Sequence, residues 1–423
     1  LMGVFAGIDY KKLAQSVDFV SWDSYPEWGA PVGDKHTGVA RAFTHDSIRG
    51  LLGQNFLLME STPSLVNWKD INKLKRPGMH LLSSLQAVAH GSDSVQYFQF
   101  RKSRGSSEKL HGAVVDHCGH ENTRVFRDVK SVGEALEKID EICGTEVRSD
   151  AAVIFERDTM WALDDLQGMQ KKNKKYTETC INHYYPLWEK GINADVITRH
   201  DDFSKYKLII APMLYMCEQS VIDRLEEFVR EGGVLIGTYT MAQVNENDLC
   251  HLGGFPGGKL KDVFGIWAEE LDTLYPEQTN YVVSDGVRYE AKDYCELIHA
   301  NTAKVLARFD SDFYCGMPAA TVNDYGKGKA YYLAFRDESK KYIRELTGQA
   351  LDAAGVCGCI NTSLPDGTTA RMRECNGAKY YFVECFNSEG ASITLDGEYY
   401  SMLDEKTVTE LKFDGFGIAV LKK

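Results

Sequence analysis

The sequence has 423 residues, 43% hydrophobic and 26% charged, with 37 glycines and 10 prolines, a balance that excludes a collagenous, low-complexity or largely disordered chain and gives room for two or three domains. Its 48 basic against 61 acidic side chains leave a net charge of −13, which argues against duplex DNA, RNA or an anionic membrane as partner, since all three reward positive patches. No run of 18 apolar residues and no basic, apolar, small-residue leader is present, so neither a membrane span nor a signal peptide is read, although the first residue is Leu1 rather than Met.

Residues 1–147 repeat a strand-then-helix rhythm. Short strands are predicted over 17–22, 55–60 and 94–100, and between the last two Pro77 opens a helix that runs through Gln86 to His90 and is closed by Gly91. Each strand ends on polar or aromatic residues, at the end that faces ligands both in a (β/α)8 barrel and in a doubly wound sheet. From 148 to 354 the pattern changes to apolar runs without alternation, at 151–155, 194–197, 207–212, 234–237 and 330–335, with a helical pattern over 221–230. Such runs predict a Rossmann-like parallel sheet covered on both faces. From 355 to 423 short strands alternate with the turn signals Pro365-Asp366-Gly367, Asn376-Gly377 and Asp414-Gly415, which predict a small antiparallel β-sandwich.

The 11 cysteines are scattered singly from Cys118 to Cys385, with only Cys357 and Cys359 close together, so reduced thiols and a cytoplasmic setting are expected rather than a secreted disulfide framework. His111, His117, Cys118 and His120 lack the spacing of a paired zinc site, and no metal is expected. Neither Tyr325-Gly326-Lys327-Gly328-Lys329 nor Gly253-Gly254-Phe255-Pro256-Gly257-Gly258 is a strand-to-helix phosphate cradle, so no nucleotide or other cofactor is read.

Three segments could carry chemistry. Glu60 ends an otherwise apolar strand, where it reads either as an ion-paired or solvent-facing strand end or as a carboxylate presented to a cleft. Asn67 and Trp68 follow the Pro63 turn and supply an amide and an aromatic plane, the combination that sugars use. The polar loop 100–112 carries Arg101, Glu108 and His111, and Glu108 and His111 could face one ligand across a turn. The same loop reads on composition as a plain surface loop, and its Glu108 opposes a phosphate or RNA role. Trp22-Asp23-Ser24-Tyr25-Pro26 closes the first strand with two rings and an acid, with Trp22 also fitting a packing role.

These segments resemble the family 42 glycoside hydrolases, mainly β-galactosidases. The likeness runs through Asp18-Phe19-Val20-Ser21-Trp22-Asp23-Ser24-Tyr25-Pro26, Phe56-Leu57-Leu58-Met59-Glu60-Ser61-Thr62-Pro63-Ser64, Val66-Asn67-Trp68, Lys75-Arg76-Pro77-Gly78, Gln86-Ala87-Val88-Ala89-His90-Gly91 and Glu108-Lys109-Leu110-His111-Gly112. It continues through Ala211-Pro212-Met213-Leu214-Tyr215 and Gly253-Gly254-Phe255-Pro256-Gly257. The resemblance implies an α/β chain in three domains: the carboxy-terminal portion of a catalytic (β/α)8 TIM barrel at 1–147, a Rossmann-like trimerisation domain at 148–354, and the small β-sandwich at 355–423.

By the same resemblance Glu60 is the nucleophile, and Trp68, Glu108 and His111 line the galactosyl subsite, with Arg101, Phe98 and Trp22 as further neighbours. The family's acid/base glutamate would lie before Leu1, since the chain begins just ahead of the sixth barrel strand. The implied activity of the whole protein is retaining hydrolysis of terminal non-reducing β-D-galactose residues, with a galactoside or oligosaccharide as small-molecule partner and a homotrimer as assembly. The 423-residue stretch alone is expected to be inactive or poorly folded, because three strands leave two sheet edges unpaired. An α-L-arabinopyranosidase and a non-catalytic carbohydrate-binding or assembly protein are the alternatives.

Overall fold

The computed structural model describes residues 5–423, which divide into two compact units. One holds the residues up to Arg148 with Trp188–Asn193 and Cys357–Lys423, and the other holds Ser149–Leu187 with Ala194–Val356.

The first unit opens with α1 (Tyr10–Ala14), β1 (Ser21–Ser24), α2 (Asp34–Leu52), β2 (Phe56–Ser61), α3 (Met79–Ala89), β3 (Ser92–Val95) and α4 (Arg124–Lys138). The three strands are parallel in the order β1-β2-β3. One face of this sheet is the core: Trp22, Phe56 and Leu58 pack with Ala14, Val20, Ile48 and Ala87. The helix predicted after Pro77 is α3, and Gly91 closes it with φ 106, a left-handed conformation that side chains disfavour.

Two strand boundaries differ from the sequence expectation. Val17 and Phe19 are 47% and 52% exposed and precede β1 rather than belong to it. The third strand starts two residues early, at Ser92, and ends at Val95. Beyond it the chain keeps contact with β2 through Gln96 N–H to Leu58 O and Phe98 N–H to Ser61 O, but leaves regular strand geometry.

The second unit contains β4 (Ala151–Ile154), α5 (Arg157–Asp165), most of α6 (Tyr176–Glu189), β5 (Ala194–Ile197), β6 (Leu208–Ala211), α7 (Gln219–Arg230), β7 (Val234–Thr238) and α8 (Leu260–Phe264). It continues with β8 (Ile266–Thr273), β9 (Asn280–Ser284), β10 (Val287–Ala300), β11 (Lys304–Phe309), β12 (Pro318–Tyr325), β13 (Gly328–Leu333), β14 (Phe335–Arg336) and α9 (Lys341–Ala354). The order is β14-β10-β9-β11-β12-β13-β7-β6-β4-β5, with β8 also on β10.

The parallel sheet expected from the apolar runs exists only from β13 to β5, where β4, β6 and β7 are buried throughout. The rest is antiparallel, so the sheet is mixed. The reason lies in two tight turns, Asp285-Gly286 with φ 48 and 79, and Gly326-Lys327, because a two-residue connection can only reverse the chain. Glu296 of β10 is buried in this unit, accepting a hydrogen bond from Thr240 N–H at 3.0 Å and one from the Tyr332 hydroxyl at 2.6 Å.

The chain ends with β15 (Thr368–Cys375), β16 (Ala378–Cys385), β17 (Ala391–Ser401), β18 (Lys406–Phe413) and β19 (Gly417–Lys422), antiparallel in the order β15-β16-β19-β17-β18. β17 meets β19 at two residues only, Tyr400 and Ser401, so the sheet turns a corner there. Ile393, Leu395, Tyr399 and Leu411 on one side then share a core with Ala370, Tyr381, Val383, Ala419 and Leu421 on the other, as in a small sandwich. Arg373 of β15 ties this layer to β3. Its fully buried guanidinium donates to Val88 O (2.9 Å), Ser92 O (3.0 Å) and Thr145 O (2.8 Å), and pairs with Asp93 Oδ1 at 2.6 Å.

Arg373→Met should therefore lower stability by about 3–5 kcal/mol in urea unfolding, since it removes the buried ion pair with Asp93 and three charge-assisted hydrogen bonds to carbonyls. Burial pushes the Glu296 carboxyl up from 4.5 to about 7, with Tyr332 and Thr240 opposing. The folded state thus keeps a proton that the unfolded chain releases, and this contribution, full below about pH 4.5, is lost as pH rises to about 7. Glu296→Gln should flatten that loss, so that the variant gains about 3 kcal/mol on the wild type between those limits in denaturation followed against pH.

Candidate functional site

Strict alternation along β2 would send Glu60 to the same face as Phe56 and Leu58, into the core. The register prevents this. Trp22 pairs with Leu58, but Asp23 pairs with Glu60, so Met59 is an extra residue on β2 and Glu60 emerges on the opposite face beside Asp23. Tyr25, restricted by Pro26 to extended geometry, donates its hydroxyl proton to Glu60 Oε2 at 2.7 Å. Burial raises the Tyr25 pKa, and the hydrogen bond to Glu60 and the charges of Glu60, Asp23 and Glu108 raise it further, so its proton stays in place as a donor. Asp23 is raised as well, by burial first and then by the Glu60 charge.

An aromatic wall stands next to this pair. Trp68, 51% exposed, lies edge-on to Tyr25 with ring centroids 5.6 Å apart. Tyr25 lies edge-on to His111 at 6.0 Å, and Phe98 lies edge-on to His111 at 5.2 Å. His111 is buried, and its Nδ1 is 3.0 Å from Gly112 O; a carbonyl only accepts, so Nδ1 carries the proton and Nε2 is the acceptor in the neutral ring.

Two loops are stitched together to hold these groups. Gly112 N–H donates to Leu65 O (2.8 Å), Thr62 Oγ1 donates to the same carbonyl (3.1 Å), and His111 N–H closes a turn on Glu108 O (2.9 Å). Asn67 Nδ2 reaches Ser107 O. A Cβ on Gly112 would sit 2.7 Å from Leu65 O and 3.0 Å from Thr62 Oγ1, so only glycine permits this approach.

Of the residues singled out in the sequence, Glu60, Trp68, His111 and Phe98 are thus brought together around Tyr25, and Glu108 sits partly exposed one turn before His111. Arg101 lies exposed farther back on the loop, where its backbone pairs with Val115. Trp22 requires a correction: it is completely buried, edge-on to His45 at 5.0 Å in the layer between strands and helices, because it alternates with Asp23 and takes the core side. Tyr25 and Asp23 are the site residues that the sequence reading did not assign, and the available signal was the alternation that starts from Trp22. His117 points its Nε2 at Ser103 O, and among the described residues no group of three or more His, Cys, Asp or Glu side chains could hold a metal ion.

Comparison with known proteins accounts for nearly every segment. Residues 1–139 match the family model described as β-galactosidase, 149–357 that of the β-galactosidase trimerisation domain, and 367–423 that of the β-galactosidase C-terminal domain. The chain belongs to glycoside hydrolase family 42. Among its relatives, β-galactosidase Pbg of Clostridium perfringens is 49% identical and β-galactosidase BglY of Alicyclobacillus acidocaldarius 46%, each matched over 100% of this chain and 62% of the relative. The β-galactosidase of Rahnella sp. R3 superposes with a TM-score of 0.96 at 44% identity, over 100% of this chain and 62% of that one. The chain therefore spans about 62% of the length of these relatives. No described helix is long and apolar enough to cross a membrane.

Gly112→Ala should cost about 1–3 kcal/mol in thermal or urea unfolding and speed amide exchange at His111 and Gly112. Gly105→Ala, where an added Cβ meets nothing within 4 Å, should leave both unchanged.

Proposed function

We propose that the whole protein hydrolyses terminal non-reducing β-D-galactose residues of β-D-galactosides with retention of configuration, and that Glu60 is its nucleophile. The observation that carries this reading is the 2.7 Å hydrogen bond to a strand-end glutamate from Tyr25, whose ring lies edge-on to an open tryptophan. Glu60 attacks the anomeric carbon as the bond to the leaving oxygen breaks, while a second carboxyl about 5–5.5 Å away protonates that oxygen and then activates water against the glycosyl ester. That acid/base glutamate is proposed to come from a segment preceding this sequence in the whole protein, which the greater length of the relatives supports. Asp23 lies beside Glu60 in register and is proposed to add to the negative field in which a developing oxocarbenium ion is favoured.

Trp68 offers its ring to the C–H face of the galactosyl unit, and Glu108 and His111 take its hydroxyls, with His111 accepting at Nε2. Phe98 props the His111 ring, and Arg101 belongs to the outer rim. Trp22 has no part in the subsite. The proposal includes a division into 1–147, 148–354 and 355–423 and a homotrimer built through the middle part, supported by the trimerisation-domain match to 149–357. It also places the protein in the cytoplasm, supported by the 11 cysteines, none of them in a disulfide.

The complete protein is expected to cleave 4-nitrophenyl β-D-galactoside, and Glu60→Gln to lower kcat by at least about 1,000-fold. A 2-deoxy-2-fluorogalactosyl fluoride should label Glu60, and proton NMR should show the β-anomer released first. Labelling of another residue or release of the α-anomer would remove Glu60 from its role. Equal or better turnover of an α-L-arabinopyranoside would reassign the substrate, and sugar binding without any turnover would favour a carbohydrate-binding protein.

A further inference from the structure

The stretch between β2 and α3 carries Trp68 and four basic residues, and three of its lysines end on backbone carbonyls. Lys69 Nζ donates to Tyr25 O at 3.0 Å, Lys73 Nζ to Gly29 O at 3.1 Å, and Lys75 Nζ to Thr62 O. Two of those carbonyls belong to the site's own frame: Tyr25 holds Glu60, and Thr62 follows Glu60 by two residues at the exit of β2.

Lys75 is the unusual member of the set because it is 5% exposed. Its Nζ also lies 3.1 Å from His80 Nδ1, and burial lowers the amine to about 7, with Asp128 opposing and Arg124 assisting. His80 is held neutral by burial and by the neighbouring charges of Lys75 and Arg124. Both the ammonium and the neutral amine keep N–H donors, so the contact with Thr62 O survives either state. Burying an amine in this way costs several kcal/mol, which an apolar side chain of the same length would avoid.

The contact lies on a short physical path to the reacting groups. Thr62 Oγ1 and Gly112 N–H share the Leu65 carbonyl, which fixes the His111 turn against the Glu60 strand. On its other side His80 packs on Tyr97 with centroids 5.0 Å apart, and Tyr97 directly precedes Phe98, whose ring supports His111. We propose that Lys75 is a positioning residue of this site, its Nζ pinning the Thr62 carbonyl and so fixing the path of the chain from Glu60 into the turn that carries Trp68 and anchors His111. The catalytic consequence rests on the function proposed above, whereas the pinning does not.

The test uses Lys75→Met in the complete protein, with Lys73→Met, on an exposed lysine making the same kind of contact, as control. Lys75→Met should retain the melting temperature, speed amide exchange over residues 62–65 and at Gly112 about tenfold, and lower kcat on 4-nitrophenyl β-D-galactoside about 10- to 100-fold while KM changes less than threefold. Lys73→Met should alter none of these. Lys75→Gln, polar but too short to reach Thr62, is measured alongside so that the readouts survive a folding defect in either variant. Unchanged exchange at Gly112 would overturn the proposal whatever the activity. Faster exchange with kcat within twofold of the wild type would overturn the positioning role. If the wild-type protein turns over no galactoside, the proposed function fails by itself, and the exchange readout alone decides the pinning.

Discussion

The site depends on one extra residue. Met59 interrupts the pairing of the first two strands, and that single slip turns Glu60 from the helix-facing core to the opposite face, beside Asp23 and under the Tyr25 hydroxyl. Without it the carboxylate would follow Leu58 into a layer made of Trp22, Phe56, Ile48 and Ala87, where an unpaired charge costs several kcal/mol. The bulge is thus what lets an apolar strand, well suited to packing, deliver a charged side chain at its end.

Once Glu60 is turned outward, its surroundings are arranged around like charges. Asp23, Glu60 and Glu108 all act on Tyr25, raising its pKa, so the phenol remains a donor and gives Glu60 one fixed hydrogen bond in a field that otherwise repels it. Behind the strands the logic is reversed. Asp46 of α2 is fully buried, and although burial opposes ionisation, Arg49 and His90 together hold its carboxyl below the usual range. Glu384 of β16, buried near Arg371 and Asp46, is pushed up to about 8 by burial. The front of the sheet keeps negative charge available to a ligand, and the back compensates or neutralises it.

The sequence reading was most successful where local chemistry decides. The α3 helix with its Gly91 stop, the hairpin at Asn376-Gly377, and the burial of β4, β6 and β7 follow from turn geometry and apolar runs that act within a few residues, whereas Asp414-Gly415 joins two strands that do not pair. It was less successful from β8 to β12. That stretch mixes charged and aromatic residues with short alternating runs, and the single Asp285-Gly286 turn makes β9 and β10 antiparallel. Around the site, Glu60, Trp68, His111 and Phe98 were legible as polar or aromatic residues at strand ends, and they do converge. The buried Trp22, which takes the packing role its sequence context allows, and the outward Tyr25 show that proximity in sequence to a strand end does not say which face a side chain takes.

By itself, the sequence determined which residues were available for chemistry, where the tight turns fall and which family the chain belongs to, since composition, glycine placement and motif order are properties of the chain. Only the tertiary structure decided which of those residues meet. The slip at Met59, the Lys75 contact with Thr62 and the approach of Gly112 to Leu65 all depend on pairings between segments, and the free energy of such contacts is set by burial and register that no single segment carries alone.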